Sequence, residues 1–311
     1  MTARGPRVSA SGPAPSALRL EPAGATEWLL RKGLFALLRR LPPGGQVWLT
    51  GLLKRLRRRR HAGPPRLPGP GARPGDDAPA LVCLTHDVDW RTCYEAVEEI
   101  ASGEGERGFH STFNFLTRWH YRPQPELLER LRREGFETGL HGREHDLALG
   151  GRPRARLARE LREARDALGG PSSVRGFRAP ALAASERLLS VLGELGFLYD
   201  SSLAAWSPYA GLRRRPEAYV YPGTGLWELP LTLQDDVLFR EFRLTEAEAL
   251  EVVKALLGAV RGGRGVFVFN GHPTILKAHP AFWRGLLEHL AATGARVVPA
   301  ERAVALVAGG E

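Results

Sequence analysis

ALVCLTHDVDW, residues 80–90, is the stretch from which the fold can be worked out. It opens with an apolar run of strand length, Ala80–Thr85, and ends on two acidic residues. Asp87 and Asp89 lie on the same side of an extended chain, whereas Val88 faces the other way. Two adjacent carboxylates repel each other unless a cation or a shared proton separates their roles. The stretch predicts a strand that delivers both groups to one site; a solvated acidic turn or helix N-cap is the alternative.

The same alternation continues along the chain. Strand-like runs occur at Ala80–Thr85, Ser111–Leu116, Glu137–Leu140, Val174–Phe177, Leu226–Leu231, Gly265–Phe269 and Ala295–Val298. Helical stretches lie between them at Thr92–Ile100, Pro125–Arg133, Arg154–Leu168, Ala184–Leu195, Glu246–Val260 and Phe282–Ala292. This order predicts an α/β domain on a parallel sheet, open or closed into a barrel. Candidate polar residues follow the carboxyl ends of these strands, where either type of sheet assembles its site.

GLHGREH, residues 139–145, supplies two histidines four residues apart. That spacing predicts both imidazoles of His141 and His145 on one face of a helical turn, with Glu144 beside them. Alone, such a pair often lies on a surface. Together with an upstream carboxylate it forms a mixed oxygen and nitrogen ligand set. Zn²⁺ fits this set best, and Co²⁺, Mn²⁺, Fe²⁺ or Ni²⁺ would also be accommodated.

The chain resembles the polysaccharide deacetylase family, carbohydrate esterase family 4, from about Leu81 to about Val298. The resemblance rests on LTHDVDW ending at Trp90, GLHGREH ending at His145, GFRAP ending at Pro180, LYDSS ending at Ser202 and FNGHP ending at Pro273. It implies a distorted (β/α) barrel and a metal-dependent hydrolase. The implied reaction removes acetyl groups from N-acetylated sugars of a glycan or a glycan precursor.

The resemblance also implies how the two aspartates divide their work. Asp89, His141 and His145 would bind the metal, and Asp87 would act as the base. In the commoner family pattern the two aspartates are adjacent, whereas Val88 separates them here. An exchange of roles between Asp87 and Asp89 is the alternative.

Further roles follow from the same resemblance. Arg178 would orient the base through a bidentate guanidinium, and His272 would be the acid that protonates the leaving group. Ala181 replaces an aromatic residue that the family usually has; its backbone N–H remains available to an oxyanion, but an aromatic wall is lost. Asp200 would position His272 or the substrate, with capping as the alternative. Trp227 would stack on a sugar, unless it belongs to the core.

Two other classes of function remain open. One is an amidohydrolase of the same fold that acts on a small non-sugar amide, which the missing aromatic at Ala181 favours. The other is a non-catalytic glycan-binding relative. A binding module has no need of Asp87 and His272 together, so their presence counts against it.

The net charge of +10 is unevenly distributed. Residues 1–78 contain 15 Lys+Arg and 4 Asp+Glu, whereas residues 79–311 contain 29 and 30. The second region, predicted as the catalytic domain, therefore carries no electrostatic footprint for nucleic acid. The first is predicted as a basic extension with amphipathic helices between residues 28 and 56, followed by a Pro/Gly-rich linker.

The extension favours either contact with an anionic membrane surface through residues 26–60 or packing against the catalytic domain or another subunit. Residues 1–24 lack a secretory signal pattern, and the uncharged stretch 41–53 is too short for a bilayer span. Two cysteines, Cys83 and Cys93, provide no disulfide framework. The expectation is a cytoplasmic enzyme, with peripheral attachment at the inner membrane face as an option.

Overall fold

The computed structural model describes residues 41–42, 45–46, 48–49, 52, 65 and 80–309, except 208–210, 213–216 and 261–264. The strands are β1 (Leu81–Val88), β2 (Thr112–Leu116), β3 (Glu137–Gly142), β4 (Gly176–Phe177), β5 (Tyr199–Asp200), β6 (Trp206–Ser207), β7 (Gly211–Leu212), β8 (Tyr219–Val220), β9 (Trp227–Glu228), β10 (Leu233–Gln234), β11 (Val266–Asn270) and β12 (Arg296–Val297). The α-helices are α1 (Arg91–Glu95), α2 (Val97–Gly105), α3 (Pro125–Arg133), α4 (Arg154–Asp166), α5 (Glu186–Glu194), α6 (Glu246–Val260), α7 (Pro273–Ala278), α8 (Pro280–Ala292) and α9 (Ala300–Val307).

The central sheet runs in the order β10-β11-β1-β2-β3-β4-β5-β9-β8, with β12 beside the start of β1. Its neighbouring strands are parallel, apart from the pairing of β8 with β9. β9 and β10 are successive parts of one segment, which pairs with β5 at its beginning and with β11 at its end. The sheet thereby closes on itself, and the predicted distorted (β/α) barrel is confirmed.

The strands separate two apolar layers, because successive side chains point to opposite faces. On β1, Val82, Leu84 and Val88 pack in the larger cluster, which includes residues of the surrounding helices. Cys83 belongs to a second cluster inside the barrel, which α9 closes at the amino ends of the strands. Asp87 follows the alternation of Cys83, so β1 carries this carboxylate on the inner face at the carboxyl end of the barrel.

Local differences from the predicted elements are small. The helix predicted over Thr92–Ile100 is divided between α1 and α2, with Ala96 between them. β5 and β10 are two-residue strands in stretches where the sequence predicted none. Within the described ranges, every helix is too short or too polar to cross a membrane.

Candidate active site

The polar groups of the site meet at the carboxyl ends of the barrel strands. Asp87 lies in β1 and His141 in β3, while Arg178 directly follows β4 and His272 follows β11 by two residues. The side chains of Asp87, His141 and Arg178 are buried, and that of His272 is 13% exposed. Because parallel strands end at the same edge, four separate segments contribute to one cleft, as expected for a barrel of this kind.

Asp89, His141 and His145 form a group whose ligand atoms all lie within 4.8 Å of one another. Asp89 Oδ1 is 3.1 Å from His141 Nε2, and Asp89 Oδ2 is 3.6 Å from His145 Nε2. Asp89 Oδ1 is nevertheless buried without hydrogen-bond geometry to any described residue. Buried polar atoms that converge without bonding each other are what a metal site needs, so this donor set fits a divalent cation.

The two histidines are presented by a strand and the bend after it. The predicted helical turn is wrong, because His141 lies in β3 and the strand ends at Gly142, whose φ of 113° favours glycine. His145 follows in the bend. His141 Nδ1 donates to the carbonyl of Arg178 at 2.8 Å, which leaves Nε2 free for the cation.

Asp87 is 3% exposed and is held by three donors. Asn114 Nδ2 donates to Oδ1 at 3.0 Å, Arg178 Nη1 to Oδ1 at 3.2 Å and Asn270 Nδ2 to Oδ2 at 2.8 Å. Burial alone would raise the pKa of this carboxyl, but the nearby His141 and Arg178 outweigh it and lower the pKa below its usual value. Asp87 is therefore an ionised, oriented carboxylate.

Arg178 contacts Asp87 through a single nitrogen, so the predicted bidentate pairing is wrong. The other contacts of its guanidinium go to Ser201 and Thr85: Nε donates to the carbonyl of Ser201, Nη2 to Ser201 Oγ and Nη1 also to Thr85 Oγ1, at 2.7–2.8 Å. Since the fork is shared between the ends of three strands, Arg178 braces the barrel mouth as well as the carboxylate.

His272 is paired with Asp235, a residue that the sequence reasoning missed. His272 Nδ1 donates to Asp235 Oδ1 at 2.6 Å, and the backbone N–H of His272 donates to Oδ2 at 2.6 Å. Burial would lower the pKa of His272, but the carboxylate of Asp235 raises it well above its usual value. His272 Nε2 lies 3.6 Å from Asp89 Oδ2, so a protonated imidazole faces the metal group.

The three residues expected to contact substrate lie in different surroundings. Asp200 accepts hydrogen bonds from Ser202 Oγ and the backbone N–H of Ser202 and is adjacent to Glu228, so its contacts do not include His272. Burial raises the pKa of Asp200 to about 6. Trp227 packs against the apolar cluster inside the barrel. Ala181 lies in a 3-10 turn with a φ of 50° and packs against the small apolar cluster of Leu147, Ala148 and Ala183.

Sequence reasoning missed Asn114, Asn270 and Asp235 as neighbours of the predicted base and acid. A signal exists for the first two. Asn114 lies opposite Asp87 in the register of β2 with β1, and Asn270 occupies the last position of β11, so both belong to inward-facing positions. Asp235 directly follows β10, a two-residue strand that left no hydrophobic pattern.

A small part of the N-terminal extension is described, and it contacts the catalytic domain. Gln46 is 3% exposed, and its Oε1 accepts a hydrogen bond at 2.9 Å from the backbone N–H of Leu147, two residues beyond His145. Leu49 packs against the cluster that contains Leu147. Packing on the domain, one of the two alternatives, therefore occurs at these positions. The two amphipathic helices mostly lie outside the described residues, and membrane contact through residues 26–60 stays a prediction.

These features define a class: a (β/α) barrel with a candidate divalent metal site at the carboxyl ends of its strands. A sequence model of the family described as Polysaccharide deacetylase matches residues 75–199. A putative polysaccharide deacetylase from Mycobacterium smegmatis superposes with a TM-score of 0.62 at 22% identity, covering 78% of this chain and 96% of that one. The peptidoglycan deacetylase PdaC from Bacillus subtilis gives a TM-score of 0.50 at 16% identity, with 75% and 94% covered. No curated protein sequence matches significantly.

The match to this family model over residues 75–199 confirms the resemblance found in the sequence. Because their sequence identities are low, the solved structures support the fold alone. The matched residues 75–199 include the stretches that carry Asp87, Asp89, His141, His145 and Arg178.

Proposed function

We propose that the protein is a metal-dependent deacetylase that hydrolyses the acetamide of an N-acetylated sugar in a glycan or glycan precursor. The observation that carries the proposal is that a buried carboxylate, Asp87, and an imidazole, His272, each approach a member of the candidate metal group. Asp87 Oδ2 lies 4.0 Å from His141 Nε2, and His272 Nε2 lies 3.6 Å from Asp89 Oδ2. The family supplies the acetylated polysaccharide as substrate class.

Asp89, His141 and His145 would hold the cation. When bound, the cation polarises the acetyl carbonyl and acidifies the attacking water. Zn²⁺ suits one carboxylate and two imidazoles with positions left open, and the other divalent ions named above remain alternatives. The hydrogen bond from His141 Nδ1 to the carbonyl of Arg178 fixes the ring so that it ligates through Nε2.

Asp87 would take the proton from the attacking water. Its donors, Asn114, Asn270 and Arg178, hold both oxygens in place and keep the carboxylate ionised before the proton arrives. The assignment of Asp87 as base and Asp89 as ligand is supported by these donors, because Asp87 is fully hydrogen-bonded by the protein whereas Asp89 Oδ1 is not.

His272 would give its Nε2 proton to the leaving amine. His272 Nδ1–H is donated to Asp235, so the His272 proton that remains for the leaving group is the one on Nε2. The N–H of Ala181 would bind the oxyanion, since it has no acceptor among the described residues and lies in the turn beside Arg178.

One observation favours a second candidate, hydrolysis of a small non-sugar amide. Ala181 supplies no ring to the cleft, and the half-buried Trp227 packs against the cluster inside the barrel, so the two positions offer a sugar less aromatic surface. A substrate panel that pairs N-acetylhexosamine oligomers with linear and cyclic amides separates the two candidates by relative kcat/KM.

The experiment that tests the proposed site measures metal content and acetate release together. We expect His141→Ala to lose the metal, and Asp87→Asn to keep it while acetate release falls about 10³-fold. His110→Ala is the matched control, because His110 contacts Phe136 away from the site and should change neither quantity. Loss of metal in Asp87→Asn with full occupancy in Asp89→Asn would reverse the two aspartates. Full occupancy with no hydrolysis of any substrate would refute the enzymatic proposal and favour a binding protein.

A further inference from the structure

His86 is a buried polar side chain in an apolar layer. His86 lies in β1, and its side chain has 0% exposure. The ring packs on Phe113 at 4.6 Å and edge-on against Trp283 at 5.8 Å between ring centroids. Burial of an imidazole costs desolvation free energy, which its hydrogen bonds must offset.

Both ring nitrogens of His86 face acceptors. Nδ1 lies 2.8 Å from the carbonyl of Gly271, and Nε2 lies 2.9 Å from Glu104 Oε1. Ser111 Oγ donates to the other oxygen of Glu104 at 2.6 Å. A carbonyl oxygen can only accept a hydrogen bond, so Nδ1–H is the donor to the carbonyl of Gly271.

That carbonyl belongs to the peptide group that ends in the N–H of His272. The N–H side of the same peptide donates to Asp235 Oδ2 at 2.6 Å. One peptide plane is therefore held at both edges, by His86 on one side and Asp235 on the other. Asp235 holds the imidazole of His272 as well, so the orientation of this plane decides where Nε2 of His272 lies.

The backbone around this peptide is closely packed. The N–H of Gly271 donates to the carbonyl of Thr85 at 2.8 Å, and a Cβ at Gly271 would lie 2.7 Å from Leu276 Cδ1. Pro273 follows His272 and begins α7 without an N–H. The carbonyl of Gly271 accepts a hydrogen bond from the side chain of His86, and this bond links β1 directly to the Gly271–His272 peptide.

We propose that His86 is a positioning residue: its Nδ1–H fixes the Gly271–His272 peptide so that His272 presents Nε2 to the reaction site. Glu104 and Ser111 anchor the ring from the opposite side. The proposal rests on the proposed function for the role of His272 as acid, and on the contacts alone for the positioning.

Two substitutions separate the two hydrogen bonds of the ring. His86→Asn places an amide N–H near the position of Nδ1 and keeps the donor to Gly271, whereas His86→Gln places its amide near Nε2 and keeps only the contact with Glu104. Trp283→Phe is the matched control, because it alters packing on the same ring without removing a hydrogen bond.

The activity measurement compares an N-acetylated sugar with an activated aryl acetate, whose leaving group departs without a proton. We expect His86→Gln to lower kcat on the sugar about tenfold or more, with KM and metal content unchanged and the aryl acetate rate retained. His86→Asn and Trp283→Phe should keep the ratio of the two rates near that of the wild type. A purely structural role would lower both rates in the same proportion.

A second measurement needs no substrate. In the metal-loaded protein, the Nδ1–H proton of His272 in its short hydrogen bond to Asp235 should give a downfield NMR resonance, assigned by its loss in His272→Gln. We expect this resonance to shift in His86→Gln and to stay in His86→Asn. An unchanged resonance and rate ratio in His86→Gln overturns the positioning role. If the wild type releases no acetate and His86→Gln still shifts the resonance, the positioning role stands and the deacetylase proposal is refuted.

Discussion

The two ends of the barrel each contain a buried carboxylate, but they treat it in opposite ways. At the carboxyl end, the pKa of Asp87 is lowered despite burial, because His141 and Arg178 are close. At the amino end, burial raises the pKa of Glu137 from 4.5 to about 7, and the nearby Glu301 adds to the effect. Burial is common to Asp87 and Glu137, so it does not explain why their pKa values shift in opposite directions. The neighbouring cations of Asp87 make the difference between the two.

The hydrogen bonds show why donors alone do not keep a buried carboxylate ionised. Glu137 accepts from Tyr199 Oη at 2.8 Å, from Thr112 Oγ1 at 2.7 Å and from the backbone N–H of Glu301 at 3.0 Å. Asp87 also has three donors, but one of them is a guanidinium. Three neutral donors leave the first carboxylate partly protonated near neutral pH, whereas three donors with a cation keep the second ionised.

Removal of the cation at the carboxyl end should have the largest effect. We expect Arg178→Met to lower the free energy of unfolding by about 3–5 kcal/mol, because it leaves the carboxylate of Asp87 buried without its charged partner. Urea unfolding of the metal-loaded protein measures this change.

The double variant Arg178→Met/Asp87→Asn is the control for that loss. It should recover part of the lost stability, since no buried negative charge then remains at position 87. Effects of the two substitutions that simply add would contradict the electrostatic explanation and leave only the lost contacts of Arg178 with Thr85 and Ser201.

The protonation of Glu137 at the amino end should appear in the pH dependence of the free energy of unfolding. The folded pKa of Glu137, about 7, lies above its usual 4.5, so the folded state binds the proton more tightly. Its contribution to stability is therefore complete below about pH 4.5 and is lost as pH rises through about 7, by up to about 3 kcal/mol. The difference in unfolding free energy between wild type and Glu137→Gln, measured across this range, isolates the effect.

Glu137→Gln is a close mimic of the protonated side chain. Its amide oxygen can accept from Thr112 and Glu301, and its amide N–H can donate to Tyr199. The variant should thus gain on the wild type as pH rises, while Asp87, whose pKa is lowered, contributes no slope in this window. A constant difference at every pH would show that Glu137 is ionised throughout.

The smallest effect concerns Cys83, which lies inside the barrel between the two ends. Burial and the carboxylate of Glu137 raise the pKa of this thiol far above its usual value. In a Cys93→Ala background, we expect Cys83 to react with a thiol reagent only at the rate of global unfolding. Rapid labelling of the native protein would show that the barrel interior opens locally.

The contrast between the ends also shows what the sequence could reveal. The placement of Asp87 and Asp89 on one side of β1 follows from the alternation of an extended chain, and the fold class follows from the order of strands and helices along the sequence. The partnership of His272 with Asp235 was not, because it depends on the register in which the two-residue strand β10 meets β11. The spacing of His141 and His145 suits a helical turn equally well, and only the backbone at Gly142 decides against it.

Barrel closure sets an order for the folding of this chain. β1 pairs on one side with β2, which follows closely, and on the other with β11, at a sequence separation of 185 between Leu81 and Val266. Contacts of such sequence separation form late and slow the folding of a domain. Until β11 arrives, one edge of the apolar strand β1 stays open to pairing with other chains. Refolding yield should therefore fall as protein concentration rises.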